Sequence, residues 1–254
     1  MSAQHLQGAP VDVGGDIEVA GVTDTGRIRR DNQDRWLAFP LAGSGGCVLI
    51  VADGMGGEAD GGVAATMAVE AAASVLRDSA HPETDLDPAV ALADAAVAQH
   101  RLHLDGAMSG TTLVIAVVTP GRFTVANVGD SRAYLVRDGS GTPITFDHSW
   151  VADEVRAGRL PAESERHHPR RNVVTRAVTG DGAAPDLFTG ELRGDDVLLL
   201  CTDGVWEPVD DDRIGEMLSA RTEVTDLVAE LCTTALDNGG TDNVTAVICR
   251  VRAG

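Results

Sequence analysis

The chain has 254 residues, 43% hydrophobic and 23% charged, which supplies enough apolar mass for one large core and excludes a disordered polymer. Its 39 acidic residues outnumber 20 basic ones for a formal net charge of −19, and every basic residue is Arg. Such a field opposes nucleic-acid backbones and anionic membrane surfaces, and the lack of Lys excludes chemistry that needs an amine side chain.

Residues 1–15 are polar and glycine-containing and read as a flexible N-terminal tail ahead of a single domain over 16–254. They lack the basic and apolar regions of an export signal, and no apolar run reaches the ~18 residues of a membrane span, so a cytoplasmic protein is expected. Strand-like runs follow at IEVAGVT (17–23) and CVLIVAD (47–53), the second closed by the glycine cluster of GMGG (54–57). Gly61–Asp78 has helical character, as does Ala89–Leu104 after DLDP, whose Pro88 is placed like a first-turn proline.

From Thr111 to Phe146 the runs TTLVIAVV, RFTVANVGD and RAYLVRDG are joined only by links of hairpin length, so neighbouring strands are expected to run antiparallel. Ser149–Ala157 and Glu223–Leu236 read as helices, and DVLLLCTDG and VTAVICRV as strands. Gly158–Pro185 has little periodicity, which is the mark of a lid, a binding loop or a disordered segment. Strands apolar on both faces need cover on both, and the fold class expected is α+β: a four-layer α-β-β-α sandwich of two antiparallel sheets flanked by helices. Cys47, Cys201, Cys232 and Cys249 have no short spacing and read as buried reduced thiols.

Asp53, Asp130 and Asp203 follow strongly apolar runs, Asp242 precedes one, and Asp34 stands just before RWLAF. Each alone is explained as a turn residue. If the strand ends converge at one edge of the sandwich, however, several negative charges come close together, at a cost that a bound cation removes. His100 with His103 and His167 with His168 lack the partners of a zinc site, and oxygen-only ligands favour a hard divalent ion, Mg²⁺ or Mn²⁺. Two such ions suit hydrolysis of a phosphate ester, with Arg29 a candidate to grip phosphate oxygens in a bidentate fork.

The segments GRIRRDNQD, VADGMGG, SGTTLVIAVV, VANVGDSRAYLVRDG, TFDHSWV, RNVVTRAVTG, LLLCTDGVWEPV and GGTDNVTAVICRV resemble, in order, the motifs of the bacterial-type metal-dependent protein phosphatases of type 2C. The resemblance implies a serine/threonine protein phosphatase that hydrolyses phosphoserine and phosphothreonine by attack of a water activated in a binuclear Mg/Mn site. It implies a catalytic set of Asp34, Asp53, Asp203 and Asp242, with two to three Mn²⁺ or Mg²⁺ ions per chain. On that carry-over Asp53 bridges two ions, the Gly54 carbonyl ligates one, and Asp203 and Asp242 ligate the other. Asp34 holds metal-bound water, and Asp130 with Asp203 supports a third ion. Glycines here would let a carbonyl approach the ion.

Arg29 corresponds to the phosphate-gripping arginine, and residues 150–185 to a mobile flap. The implied partners are phosphoprotein substrates and a cognate serine/threonine kinase, with a monomeric chain and no nucleic acid or membrane. Three positions depart from the pattern: Gln33 stands where many members carry Glu, Met55 where many eukaryotic members carry a proton-donating His, and Glu58 where another His is frequent.

Two other motifs fail on context. GMGGEA (54–59) fits a dinucleotide fingerprint, but Glu58 and Asp60 would face the pyrophosphate and a second helix follows where a parallel strand is needed. GDSRA resembles a nucleophile elbow, but a strand follows it instead of a helix. A catalytically silent relative acting as a regulator or binding protein is the alternative from another class, and retention of all five aspartates opposes it.

Overall fold

The computed structural model describes residues 8–43, 45–57, 60–104 and 108–252. In its first half β1 (Ala9–Val11), β2 (Ile17–Asp24), β3 (Asp34–Pro40) and β4 (Cys47–Gly56) lead into α1 (Asp60–Asp78) and α2 (Leu86–Arg101). Five strands follow: β5 (Ser109–Thr111), β6 (Leu113–Thr119), β7 (Arg122–Val128), β8 (Arg132–Arg137) and β9 (Ser140–Pro143). Beyond them lie α3 (Trp150–Arg156), α4 (Ser164–His167), β10 (Asp186–Glu191) and β11 (Val197–Cys201). The order closes with α5 (Asp203–Trp206), α6 (Asp211–Leu218), α7 (Val224–Asp237) and β12 (Val244–Val251).

The strands form two antiparallel sheets. One runs β1-β2-β12-β11-β8-β9 and the other β10-β7-β6-β4-β3, with β5 paired to the far end of β4. The period-2 geometry of a strand explains why both sheets need two covers. Along β4, Cys47, Leu49 and Val51 face the space between the sheets, whereas Val48, Ile50 and Ala52 pack toward α1 and α2. Along β11, Leu198 and Leu200 face the sheet partner, and Val197, Leu199 and Cys201 pack among residues of α5, α6 and α7. The result is the expected order of helices, sheet, sheet and helices. All four cysteines are buried and free.

Several details differ from the sequence expectation. Residues 9–11, placed in the tail, form an edge strand in register with β2 (Ala9↔Gly21, Val11↔Val19), where β2 offers open backbone groups; residues 1–7 lie outside the described residues. The strand that was expected to stop at Asp53 continues to Gly56, pairing Gly54 with Thr111 and Gly56 with Ser109. Finally, β6 and β7 pair as expected, but β7 and β8 do not, and Ser140–Pro143, which no strand-like run covers, forms β9 along β8. The short link at Gly129–Ser131 carries the chain from one sheet into the other.

Gly129 makes that crossover possible. Its φ of +112° lies where side chains are disfavoured, and a Cβ there would stand 2.6 Å from the Thr112 side chain. By contrast the β8–β9 hairpin turns through Asp138 and Gly139 at φ of 51° and 84°, the left-handed pair that matches strand twist. The flap region is tied to the body by isolated bridges at Thr111↔Val178 and Ser149↔Val174. Among the described residues no helix is long and apolar enough to cross a membrane.

Candidate active site

Antiparallel pairing sends the C-terminal end of one strand to the N-terminal end of its neighbour. Asp203 lies two residues past the end of β11 and Asp242 two residues before β12, so both stand at one end of the first sheet. Asp130 precedes β8, whose Arg132 pairs with Cys201 of β11, and therefore sits at that same end. In the second sheet Asp34 begins β3 directly opposite Asp53 of β4. Both have the parity of Val51, toward the space between the sheets.

Asp53, Asp130, Asp203 and Asp242 line one cavity of about 240 Å³ together with Gly54, Arg29, Gln33 and Met55. Asp34 lies behind the lining, 1% exposed, and its Oδ2 accepts from Thr202 Oγ1 at 2.9 Å. Thus the aspartates singled out in the sequence gather where the two sheets meet. Glu58 lies outside the described residues. His100 and His103 lie on or beside α2, where His100 Nε2 is 4.0 Å from Asp60, and His167 and His168 lie in the flap segment.

The gathering is electrostatically costly. Burial pushes the Asp34 carboxyl up to about 6, with Asp242 adding to the rise and the Thr245 and Thr202 hydroxyls opposing it. Asp130 is raised to about 7 by burial and by the Asp147 charge. Burial also holds Asp53 well above the ordinary carboxylate range, with Asp34, Asp203, Asp130 and Asp242 all contributing repulsion. Asp203 is raised for the same reasons, and its Oδ1 is buried with no hydrogen-bond partner in the protein. An acceptor of that kind carries an uncompensated desolvation cost.

One positive charge enters from the protein itself. Arg29 Nη2 donates to Asp242 Oδ2 at 2.6 Å, while the backbone N–H of Asn243 donates to Oδ1 at 2.8 Å. Arg29 is 53% exposed, so its pairing with Asp242 lies at the open rim.

The donor set fits a hard divalent cation. It is all oxygen, rich in carboxylates, half-buried, and includes an orphaned buried carboxylate oxygen at Asp203. Among the described residues no three His, Cys, Asp or Glu groups close into a ready-made cage, so the carboxylates would draw in around an ion as it neutralises them. Gly54 meets a further requirement that the sequence did not show. A Cβ there would collide with the Gly61 carbonyl oxygen and stand 2.7 Å from the Gln33 carbonyl oxygen, so glycine lets β4 pass between α1 and the 25–33 loop.

Several residues that hold this edge were not singled out in the sequence. Thr111 Oγ1 donates to the Asp53 carbonyl at 2.8 Å, and Thr112 both accepts from Asp53 N–H at Oγ1 and donates its own N–H to the Asp53 carbonyl, each at 2.9 Å. Asn243 Oδ1 accepts from Gln33 N–H, and its Nδ2 donates to the carbonyls of Thr25 and Asp31, so one amide fastens the Arg29 loop beside Asp242. His148 accepts from Gly129 N–H at Nδ1 and meets Asp186 at Nε2; burial lowers its pKa, which keeps it the neutral acceptor the crossover needs. Trp206 Nε1 donates to the Asp130 carbonyl at 2.9 Å, and its ring lies 3.6 Å beneath the Arg132 guanidinium.

Arg132 forms a two-pronged buried pair with Asp147 at 2.8 and 2.7 Å and reaches Glu165 in the flap segment at 3.2 Å. Arg171 with Glu207 and Arg166 with Asp211 add further ties between that segment and the body.

Residues 27–248 match the family described as protein phosphatase 2C. The chain is 38% identical over 240 residues to the serine/threonine protein phosphatase PstP of Mycobacterium tuberculosis, covering 92% of this chain and 45% of PstP, so it spans about half the length of that relative. It is 33% identical over 236 residues to the serine/threonine phosphatase Stp of Listeria innocua, covering 89% of this chain and 92% of Stp. A structure of the PstP catalytic domain in complex with two manganese ions is similar at a TM-score of 0.81 and 36% identity, covering 93% of this chain and 98% of that one.

Proposed function

We infer the chemistry of this site from one premise: the chain belongs to the protein phosphatase 2C family. We propose that it is a metal-dependent serine/threonine protein phosphatase, hydrolysing phosphoserine and phosphothreonine in other proteins. The observation that carries this is the meeting of Asp53, Asp130, Asp203 and Asp242 at one cavity, with an orphaned carboxylate oxygen among them. Asp53, Asp203, Asp242 and the Gly54 carbonyl would hold two ions, Mn²⁺ or Mg²⁺, with Asp130 and Asp203 available to a third. Such ions lower the pKa of a coordinated water and neutralise phosphoryl oxygens.

The chain's own groups do the rest. Asp34, anchored by Thr202, orients the attacking water at the cavity floor. Arg29 leaves Asp242 to grip the phosphate in its planar fork once the carboxylate has a stronger counter-charge. Met55 carries no proton to give, so the leaving alkoxide takes its proton from water in the cleft. Manganese in the similar PstP structure supports the metal assignment. The substrates are phosphoproteins, the opposing enzyme is a serine/threonine kinase and the chain acts as a monomer; the buried free cysteines suit a reducing compartment such as the cytoplasm.

The purified protein is expected to hydrolyse p-nitrophenyl phosphate and a phosphothreonine peptide with Mn²⁺ and to lose both activities in EDTA. Failure on both reagents by metal-loaded, folded protein favours the catalytically silent relative.

Arg29→Ala is expected to raise KM for the phosphopeptide about tenfold while lowering kcat less, because the grip is made to ground state and transition state alike. Steady-state kinetics on the peptide decide this. A fall in kcat with KM unchanged assigns Arg29 to the transition state instead.

A further inference from the structure

We propose that the catalytic cleft continues into an apolar groove that takes the substrate's side chains on one flank of the phosphorylated residue, and that the protein prefers large aliphatic residues there. The proposal rests on the phosphatase reading above and adds the substrate class.

The groove, of about 600 Å³, shares Met55, Gly56 and Val174 with the cleft wall, so it is continuous with the cleft on that flank. It then runs, through Met108 and Asp181, into a second depression of about 330 Å³ that includes Leu102 and Leu104. Met108 and Leu102 are 78% and 75% exposed, among the largest exposures of any apolar side chain described, and both border this path. Because Met108 lines both depressions and Leu102 the second, they add to one contiguous apolar strip, the kind of surface that a bound molecule covers.

The charged groups along the groove are already engaged. Arg176 Nη1 donates to Asp186 at 2.6 Å, and Asp181 accepts from Arg101 at 2.8 Å and from Thr179 Oγ1 at 3.0 Å. They therefore offer little to a charged ligand side chain, and the aliphatic surface between them sets the preference.

The far wall is built in advance. Asp94 of α2, 6% exposed, accepts three backbone N–H groups with its carboxylate, from Thr179 at 3.1 Å and from Gly180 and Gly182 at 2.7 Å each. Gly180, at φ +87°, lies against Ala98 so closely that a Cβ would stand 2.6 Å from its Cα. A wall fixed before binding loses little entropy when a ligand arrives.

The other side of the cleft differs in chemistry. Through Asn172 and Asp242 it opens into a polar pocket lined by Arg166, His167, Arg171 and Glu207. The preference for an aliphatic side chain is therefore confined to one flank.

The test uses the manganese-loaded protein and fluorescein-labelled peptides carrying the non-hydrolysable phosphonate analogue of phosphoserine, with a single Leu or Glu placed one to four residues away on either flank. Fluorescence anisotropy is expected to show about tenfold tighter binding of Leu over Glu on one flank and less than twofold on the other. Met108→Asp and, separately, Ala184→Asp are expected to reduce that preference to twofold or less, with turnover of p-nitrophenyl phosphate unchanged because that reagent does not reach the groove.

Equal affinity for all peptides, or a preference that survives both variants, overturns the groove assignment. Absence of turnover of both p-nitrophenyl phosphate and the phosphothreonine peptide by the parent protein would instead overturn the phosphatase reading, and the anisotropy comparison still decides the groove.

Discussion

Replacing Asp203 by Asn is expected to lower manganese-dependent turnover by at least about 10³-fold, equivalent to roughly 4 kcal/mol of transition-state stabilisation, without unfolding the protein. Asp203 Oδ1 is buried and unpartnered, and the carboxylate lies within reach of the repulsive fields of Asp130, Asp242, Glu207 and Asp34. On the proposed assignment the side chain exists to meet a cation, so its amide keeps the shape and loses the charge.

The same substitution removes one member of a like-charge cluster, so the metal-free variant should be as stable as the parent or more stable by about 1 kcal/mol. Steady-state kinetics and urea denaturation in EDTA together check both halves. A variant that keeps a tenth of parental turnover, or one clearly less stable than the parent without metal, removes Asp203 from its proposed role.

The second large effect is a metal-dependent reversal in how stability responds to pH. A carboxyl whose pKa is raised in the folded state binds a proton that the unfolded chain has released. Its stabilisation is complete below the unfolded value near 4 and disappears as pH rises through the folded value, here about 6 for Asp34 and about 7 for Asp130. Asp53 and Asp203 shift the same way.

Metal-free protein should therefore lose stability between about pH 4 and pH 7, with Asp34 alone accounting for roughly 3 kcal/mol. Manganese competes with those protons and binds the folded site far better than the unfolded chain, so its stabilisation grows over the same range. At a thousandfold excess over Kd it reaches about 4 kcal/mol. Melting temperatures from pH 5 to 7.5, with EDTA and with MnCl₂, are expected to diverge as pH rises. Parallel curves would show that the buried carboxyls and the metal site are separate systems.

The sandwich was legible because β4, β11 and β12 announce themselves as apolar runs too rich for a one-faced strand. The site was legible for a related reason: a carboxylate directly beside such a run has few places to go except the edge of the sheet. Loop length, however, does not say whether two adjoining strands pair, and the link at Gly129–Ser131 serves a change of sheet where a hairpin was expected. Helix α6 escaped notice because its opening residues, Asp211–Arg213, are charged and its apolar contacts reduce to Ile214, Met217 and Leu218. Strand β10 lies just past the aperiodic segment and alternates half-buried with exposed residues, so no apolar run marks it.

The supporting polar residues were hidden for another reason. Thr111, Thr112, Asn243 and His148 act through hydrogen bonds to backbone groups brought near only by the fold. A threonine or asparagine in a loop has no periodicity to betray that use.

The position of β12 has a consequence for how the protein comes into being. This strand, Val244–Val251, is the last regular element among the described residues yet lies inside its sheet, between β2 and β11, with Asp242 and Asn243 just ahead of it. A nascent chain paused on the ribosome before residue 251 has left the exit tunnel has an open slot where β12 belongs, and its Arg29 loop lacks the Asn243 fastening. Synthesis of the domain and assembly of its working edge therefore finish together, so truncated translation products carry most of the scaffold without the capacity it serves.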